Sequence, residues 1–137
     1  MSPAAKLVPM WVRVVVGLVA LLNLAYGLSG YFAPANILPG LGADTAAALN
    51  AAYIFSARNT AIAIALVIVS LVGVPESIAI VMIIRFLVEA QDLVLSIIGG
   101  KGFAELLMPI AFIVVELIIV VAMFRLVGQR DKAAGGH

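Results

Sequence analysis

The sequence contains no cysteine, and its one histidine is the final residue, His137. The lack of thiols excludes disulfides, thiolate metal sites and cysteine nucleophiles. Without an internal histidine, ligation of haem, zinc, copper or an iron–sulfur cluster is not expected either. The composition therefore predicts that this protein works without a metal or another cofactor.

Charged residues are also scarce. They make up 11% of the 137 residues, whereas 65% are hydrophobic and the mean hydropathy is +1.25. Soluble domains are about half apolar and a quarter charged. Nucleic acid is not an expected partner, because no basic stripe with interleaved aromatic residues exists. The predicted surroundings of this chain are therefore a lipid bilayer.

Four stretches are each long and apolar enough to cross a bilayer as a helix, which takes about 20 residues. Breaks rich in glycine and proline separate them, and a polar tail follows the last one. The sequence predicts an all-α membrane protein, in which residues 1–137 form one bundle of four transmembrane helices. The predicted helices cover about 8–31, 45–72, 75–98 and 103–127, and the predicted flexible tail covers 128–137.

The distribution of basic residues predicts the orientation of the bundle. The loops on the side opposite the termini carry a single basic residue, Lys101. The positive-inside rule therefore places both termini in the cytoplasm. The basic residues that flank the terminal ends of the bundle are Lys6, Arg13, Arg125, Arg130 and Lys132.

The loop after the first helix, "FAPANILPGLGA" at 32–43, is unusual in composition. It mixes proline, glycine and asparagine with several large apolar side chains. Two interpretations stay open: an ordinary outer loop with an interfacial apolar side, or a re-entrant segment that covers a cavity.

Three charged residues are predicted to lie near the middle of the membrane. Arg85 comes ten residues after Pro75, which at the helical rise places it roughly 15 Å into the bilayer. Arg58 and Glu116 each lie thirteen residues beyond the predicted start of their helices. An isolated charge at this depth costs from about 2.5 to more than 10 kcal/mol. We therefore expect the three side chains to face inward and pair.

The helical spacing places further polar residues on the same face of the third helix as Arg85. Glu89 and Asp92 follow Arg85 at positions i+4 and i+7 on one face. Two arginines and three carboxylates leave an excess of acid, so at least one carboxyl is expected to hold a proton. The pattern predicts a polar chamber that opens outward. The residues predicted to line it from the first two helices are Asn23, Tyr26, Asn50 and Tyr53.

Two segments carry a family resemblance: "SARNTAIAIAL" at 56–66 and "IIRFLVEAQDLVLS" at 83–96. An arginine early in the second span precedes a run of small apolar residues, and a second arginine in the third span precedes acidic residues. This layout resembles the DoxX-like superfamily of small four-span bacterial membrane proteins. The resemblance implies a four-helix bundle with an internal polar site in the bacterial inner membrane. It also implies, for some members, an association with membrane redox complexes.

The first functional hypothesis is an enzyme or binding protein for a lipophilic small molecule with a polar head. Glu89 and Asp92 would form an acid–base pair, Arg85 and Arg58 would polarise or anchor the ligand, and Glu116 would tune them. Opening or cyclisation of an epoxide, or isomerisation, needs no metal. The residues expected to orient the ligand are Asn23, Tyr26, Asn50 and Tyr53.

Two other functions stay open. In an accessory or structural subunit of a membrane redox complex, the buried ion pairs would only fix the register of the helices. In a proton-coupled small transporter, a carboxylate near the midplane would be the coupling site. A chain of four spans would then need to form a homodimer to build a pathway.

Overall fold

The computed structural model describes residues 8–34 and 45–134. These residues form four α-helices, and no strand occurs among them. The prediction of an all-α chain with four helices is confirmed. The helices are α1 (Met10–Phe32), α2 (Ala46–Val72), α3 (Pro75–Ile98) and α4 (Phe103–Ala134). The re-entrant or interfacial loop predicted at 32–43 falls mainly on 35–44, which lie outside the described residues.

Local turn chemistry sets the ends of the helices. The Thr45 Oγ1 accepts a hydrogen bond of 3.2 Å from the Ala48 N–H at the start of α2, as an N-cap residue does. Proline opens α3 at Pro75, where its missing N–H costs nothing. Gly73 and Gly100 have φ values of 70° and 77°, which glycine adopts without strain. The predicted bounds of α3 and the predicted start of α4 match these turns.

The last helix is longer than the sequence pattern predicts. We expected α4 to end near residue 127 and a flexible tail to follow, but the helix continues through Ala134. The segment contains no proline and consists mainly of good helix formers. Arg130 in this extension also pairs with Glu76 at the start of α3. Residues 135–137 of the predicted tail lie outside the described residues.

Three of the helices are long and apolar enough to cross a membrane, as expected of a membrane protein. They are Met10–Phe32, Ala46–Val72 and Phe103–Lys132. Their surfaces expose large apolar side chains such as Leu18, Ile54 and Ile118, each more than half exposed. A surface of this kind suits acyl chains rather than water. The 24 residues of α3 reach a similar length, but several charged residues interrupt their apolar character.

The chain divides into two compact units. The first, Arg13–Leu71, contains most of α1 and α2 and is called the N-terminal hairpin below. The second combines the start of α1 up to Val12 with the chain from Val72 onward. Its helices α3 and α4 are called the C-terminal hairpin. The single bundle predicted over 1–137 stays a prediction.

Small residues bring the backbones of α1 and α2 close together. A Cβ atom added at Gly27 would lie 2.6 Å from the Thr60 Oγ1 and 2.9 Å from the Thr60 backbone nitrogen. At the other end of the hairpin, the Arg13 Nε donates to the Ser70 carbonyl at 2.8 Å. This bond satisfies one of the last carbonyls of α2, which have no partner within the helix. The N-terminal hairpin is therefore held by close packing and by a cap.

Candidate functional site

The C-terminal hairpin contains a buried arginine between two carboxylates. Arg85 on α3 is 3% exposed. Its Nη2 donates to the Glu89 Oε1 at 2.5 Å, and its Nε lies 2.8 Å from the Glu116 Oε1 on α4. Glu116 is fully buried. These three residues form what we call the Arg85 cluster, in which a buried arginine meets one fully buried and one partly accessible carboxyl group.

The helical hairpin explains why these residues meet. Glu89 lies one helical turn beyond Arg85, so both share a face of α3. Arg85 lies fourteen residues before Gly99, and Glu116 lies fourteen residues after Gly102, at the two sides of one turn. Antiparallel helices therefore bring them to the same level. The large apolar side chains that are almost fully buried on α3 and α4 are Ile78, Met82, Ile119 and Met123.

An aromatic ring lies near the guanidinium. The Cζ of Arg85 lies 5.6 Å from the centroid of the Phe112 ring, which is within the range of a cation–π interaction. Phe112 precedes Glu116 by one turn on α4, so both side chains approach Arg85 from the same helix. The ring therefore supplies a further favourable contact to the cation.

Glu116 has hydrogen-bonding capacity that the described residues do not use. Neither its Oε1 nor its Oε2 accepts a hydrogen bond from them. The contact of Oε1 with Arg85 is close in distance but lacks the alignment of a hydrogen bond, so it is electrostatic. Buried carboxylate oxygens normally accept hydrogen bonds. This side chain therefore offers spare acceptors inside the Arg85 cluster.

Exposure increases along α3 away from Arg85. The side chain of Arg85 is 4% exposed and that of Glu89 is 17% exposed, and Asp92, three residues further, is half-buried. The accessible edge of the cluster is therefore on the side of Glu89 and Asp92. This is the direction in which the sequence places the mouth of the chamber, and the chamber itself stays a prediction.

The N-terminal hairpin positions two further residues predicted for the site. Asn23 is 5% exposed on α1, as expected for an inward-facing polar side chain. Arg58 on α2 is half-buried, and its Cζ lies 5.3 Å from the centroid of the Phe55 ring. The expectation that Asn23 and Arg58 share a site with Arg85 stays a prediction.

Three other residues predicted to line the chamber are exposed. Tyr26 and Tyr53 are 63% and 43% exposed, and Asn50 is exposed as well. Tyr26 packs edge-on against Phe55 with ring centroids 6.3 Å apart, and Tyr53 stacks on Tyr31 at 6.0 Å. The two tyrosines therefore contact aromatic residues of the N-terminal hairpin and keep part of their surface accessible. The assignment of all three residues as ligand-orienting stays a prediction.

The sequence interpretation missed two buried polar residues of α2. Ser56 is fully buried and Asn59 is 5% exposed, and the Asn59 Nδ2 donates to the Phe55 carbonyl at 2.9 Å. Both share a stripe with small apolar residues, which is a signal that the sequence does contain. The residues buried on this face are Ala48, Ala52, Ser56, Asn59, Ala63 and Leu66.

A family model described as a domain of unknown function, DUF4267, matches residues 11–124. No curated protein and no solved structure matches the chain. The match does not test the DoxX-like resemblance, which stays a prediction. Because the matched segment covers most of the chain and includes the whole Arg85 cluster, this protein belongs to the DUF4267 family.

Proposed function

We propose that this protein spans the membrane four times and binds a lipophilic small molecule with a polar head at the Arg85 cluster. The observation that carries the proposal is the fully buried carboxyl of Glu116, which lies against Arg85 with spare acceptors. Ionisable groups inside a membrane protein are costly, and they usually mark a functional site.

The composition of the cluster argues for more than a structural role. A single pair of Arg85 and Glu116 would be enough to fix the register of α3 and α4. Glu89 adds a second carboxylate to the same guanidinium. Among the ionic residues predicted for the buried site, acids exceed bases by one, so a proton or a ligand has to supply the missing positive charge. The residues in this count are Arg58, Arg85, Glu89, Asp92 and Glu116.

The proposed chemistry is metal-free acid–base catalysis. Glu89 is hydrogen-bonded to Arg85 and partly accessible, which suits an ionised carboxylate that accepts a proton. Asp92, three residues further along α3, would be the second member of the pair and donate one. In an isomerisation, one proton is removed and one is returned, so no co-reactant is needed. Opening of an epoxide would use the same groups: Glu89 would take a proton from an attacking water, Asp92 would protonate the epoxide oxygen as its C–O bond breaks, and Arg85 would polarise that oxygen. In a cyclisation, a hydroxyl of the ligand would replace the water.

The topology in this proposal makes α3 the fourth span. Its 24 residues are long enough to cross the hydrocarbon core. Arg85, which interrupts its apolar character, lies against Glu116 of α4, and Glu89 is paired with Arg85, so both charges have a partner of opposite sign. With an even number of spans, the proposed location is the bacterial inner membrane with both termini in the cytoplasm.

A co-purification experiment tests the proposed function. The wild-type protein and the Glu89→Gln and Glu116→Gln variants are extracted with their bound lipids, and the organic extracts are compared by mass spectrometry. The proposal predicts a lipophilic compound that accompanies the wild type and falls by about tenfold or more in both variants, equivalent to about 1.4 kcal/mol of binding energy. The same compounds at the same levels in all samples would contradict it.

Glu105→Gln is the matched control for this experiment. Glu105 carries the same functional group on α4, but it is exposed and only accepts a hydrogen bond from the Gly102 N–H at 2.9 Å. A glutamine oxygen can accept the same bond. This variant should retain the bound compound at the wild-type level.

Two alternative functions make different predictions. An accessory subunit of a membrane redox complex would co-purify with larger proteins in a fixed ratio and carry no small molecule. A proton-coupled transporter would show uptake driven by a pH gradient in proteoliposomes, lost in Glu116→Gln. The spare acceptors of Glu116 favour transport over a purely structural role, because a coupling carboxylate must exchange protons.

A further inference from the structure

We propose that the C-terminal part of α4 binds the head group of an anionic phospholipid through Arg125 and Lys132. This proposal goes beyond the function proposed above and does not depend on it. It is carried by two exposed cations that have no carboxylate partner among the described residues. They lie where an exposed stripe of α4 changes from apolar to polar.

One face of α4 is exposed along most of the helix. Residues separated by three, four or seven positions lie on the same face of a helix. From residue 107 to residue 121 this face is apolar, and its large side chains are each about half exposed: Leu107, Val114, Ile118 and Val121. Three exposed polar residues continue the same face: Arg125, Gln129 and Lys132. A surface that suits acyl chains therefore leads directly to two cations.

The position of Arg125 along α4 matches the boundary of a bilayer. Arg125 lies 22 residues after Phe103, where α4 begins, which is about 33 Å at the helical rise. The hydrocarbon core is about 30 Å thick, and the head groups lie just outside it. Lys132 lies two turns further on, and its Cα–Cβ bond tilts back toward the N-terminus of the helix, in the direction of Arg125. Both cations therefore lie within reach of a phosphate whose acyl chains follow the stripe.

The ion pairs separate these two cations from the third basic residue in this part of α4. Arg130 pairs with Glu76 of α3 and also lies 3.7 Å from Asp131. Arg125 and Lys132 form no ion pair with any residue that the structure describes. An anion that approaches them therefore does not have to displace a carboxylate. Charge complementarity favours an anionic head group on this face.

Gly128 leaves room between the two cations. It lies three residues after Arg125 and four residues before Lys132, and nothing lies within 4 Å of a Cβ atom added there. The exposed amide of Gln129, next to it, can donate N–H bonds to a phosphate oxygen. Hydrogen bonds from arginine or lysine to phosphate are strong because both partners are charged. The site therefore offers two cations, one amide and accessible backbone to the head group.

Competition between two phospholipids with the same acyl chains tests the proposal. The full-length protein in dodecylmaltoside micelles is mixed with equal amounts of dioleoylphosphatidylglycerol and dioleoylphosphatidylcholine, and native mass spectrometry counts the lipids that stay bound. Each basic residue near a membrane surface favours an anionic lipid by about fivefold. With two such residues, we expect phosphatidylglycerol to be retained over phosphatidylcholine by at least about tenfold. Equal retention of the two lipids would overturn the proposal.

Glutamine variants assign this preference to individual residues. Arg125→Gln and Lys132→Gln should each lower it by about fivefold, and the double variant should abolish it. Arg130→Gln is the matched control, because it removes the same charge from the same part of α4, but from a residue that already has a carboxylate partner. It should leave the preference unchanged. An equal loss in Arg130→Gln would show that only the total charge matters and would overturn the assignment.

Two further measurements separate a lipid site from a site for free phosphate. Gly128→Leu keeps every charge but fills the space between the cations, so it should lower the preference by at least about threefold. An unchanged preference in this variant would contradict a head group bound between Arg125 and Lys132. Glycerol 1-phosphate, which has no acyl chains, should not displace phosphatidylglycerol at an equal concentration. Displacement would show that the apolar stripe has no part in binding and would overturn a lipid as the ligand.

Discussion

Arg85 neutralises two carboxylates, so its loss and the loss of a carboxylate have different consequences. Without Arg85, the buried Glu116 would have no cation within the cluster described here. Removal of one partner of a buried ion pair leaves an uncompensated charge, which costs far more than removal of both. The stability of the C-terminal hairpin therefore depends on the guanidinium more than on either acid alone.

The first prediction follows from this asymmetry. Arg85→Gln should lower the free energy of unfolding by about 3–5 kcal/mol. The double variant Arg85→Gln/Glu116→Gln should recover part of this loss, because it removes both buried charges. Unfolding of purified protein in mixed micelles of increasing denaturing detergent, followed by circular dichroism, measures both effects.

Arg130→Gln provides the comparison for this prediction. Arg130 pairs with Glu76 and also joins α3 to α4, but the two side chains are 36% and 37% exposed. Exposed ion pairs contribute little because water screens them. This variant should unfold close to the wild type. Equal losses in Arg85→Gln and Arg130→Gln would show that burial of the cluster has no special energetic role.

At the scale of the helices, close packing of α1 against α2 depends on Gly27. The position is set by contacts with the backbone of α2 as well as with a side chain, so rotation of Thr60 alone would not make room for a methyl group. Gly17 lies on the same helix, but nothing lies within 4 Å of a Cβ atom added there. The two glycines therefore have different roles despite their shared helix.

The second prediction compares these glycines. Gly27→Ala should destabilise the N-terminal hairpin by about 1–3 kcal/mol, because overpacking forces the helices apart. Gly17→Ala should be neutral or slightly stabilising, since alanine has the higher helix propensity. Detergent-induced unfolding of both variants measures the difference. A loss in Gly17→Ala as large as that in Gly27→Ala would contradict the packing described here.

Turn residues and helical spacing predicted some features of these helices, whereas features that depend on close packing were not predictable. The bounds of α3 were predictable because Pro75 and the glycines after Ile98 leave few alternatives. The pairing of Arg85 with Glu89 followed from their spacing. The buried face of α2 did not follow from polarity, because its polar residues lie on more than one side: Ser56 and Asn59 are buried, whereas Asn50 is exposed. Its orientation depends on small residues that allow close packing.

The end of α4 was missed for a different reason. The polar residues after 127 suggested a tail, because in a membrane protein the apolar pattern marks the span and gives no information about helix beyond the lipid. The helix continues to Ala134, and Arg130 in this part contacts Glu76. A contact between residues so far apart in sequence cannot be deduced from local composition.

At the scale of the whole molecule, the account depends on whether α3 crosses the membrane. Three other helices have the length and apolar character of spans. If α3 crosses too, the two ends of this helix face opposite sides, and the Arg85 cluster lies within the bilayer. If α3 lies outside the bilayer, the cluster is a surface feature, and the argument from the cost of buried charge no longer applies.

Labelling of single cysteines in intact cells measures most directly whether α3 crosses the membrane. The sequence contains no cysteine that would interfere with the label. Val72→Cys and Lys101→Cys place a thiol near each end of α3, at positions that are exposed. The account predicts that a membrane-impermeant maleimide labels the cysteine at position 101 in intact cells and the cysteine at position 72 only after the membrane is opened. Labelling of both from the same side would contradict it.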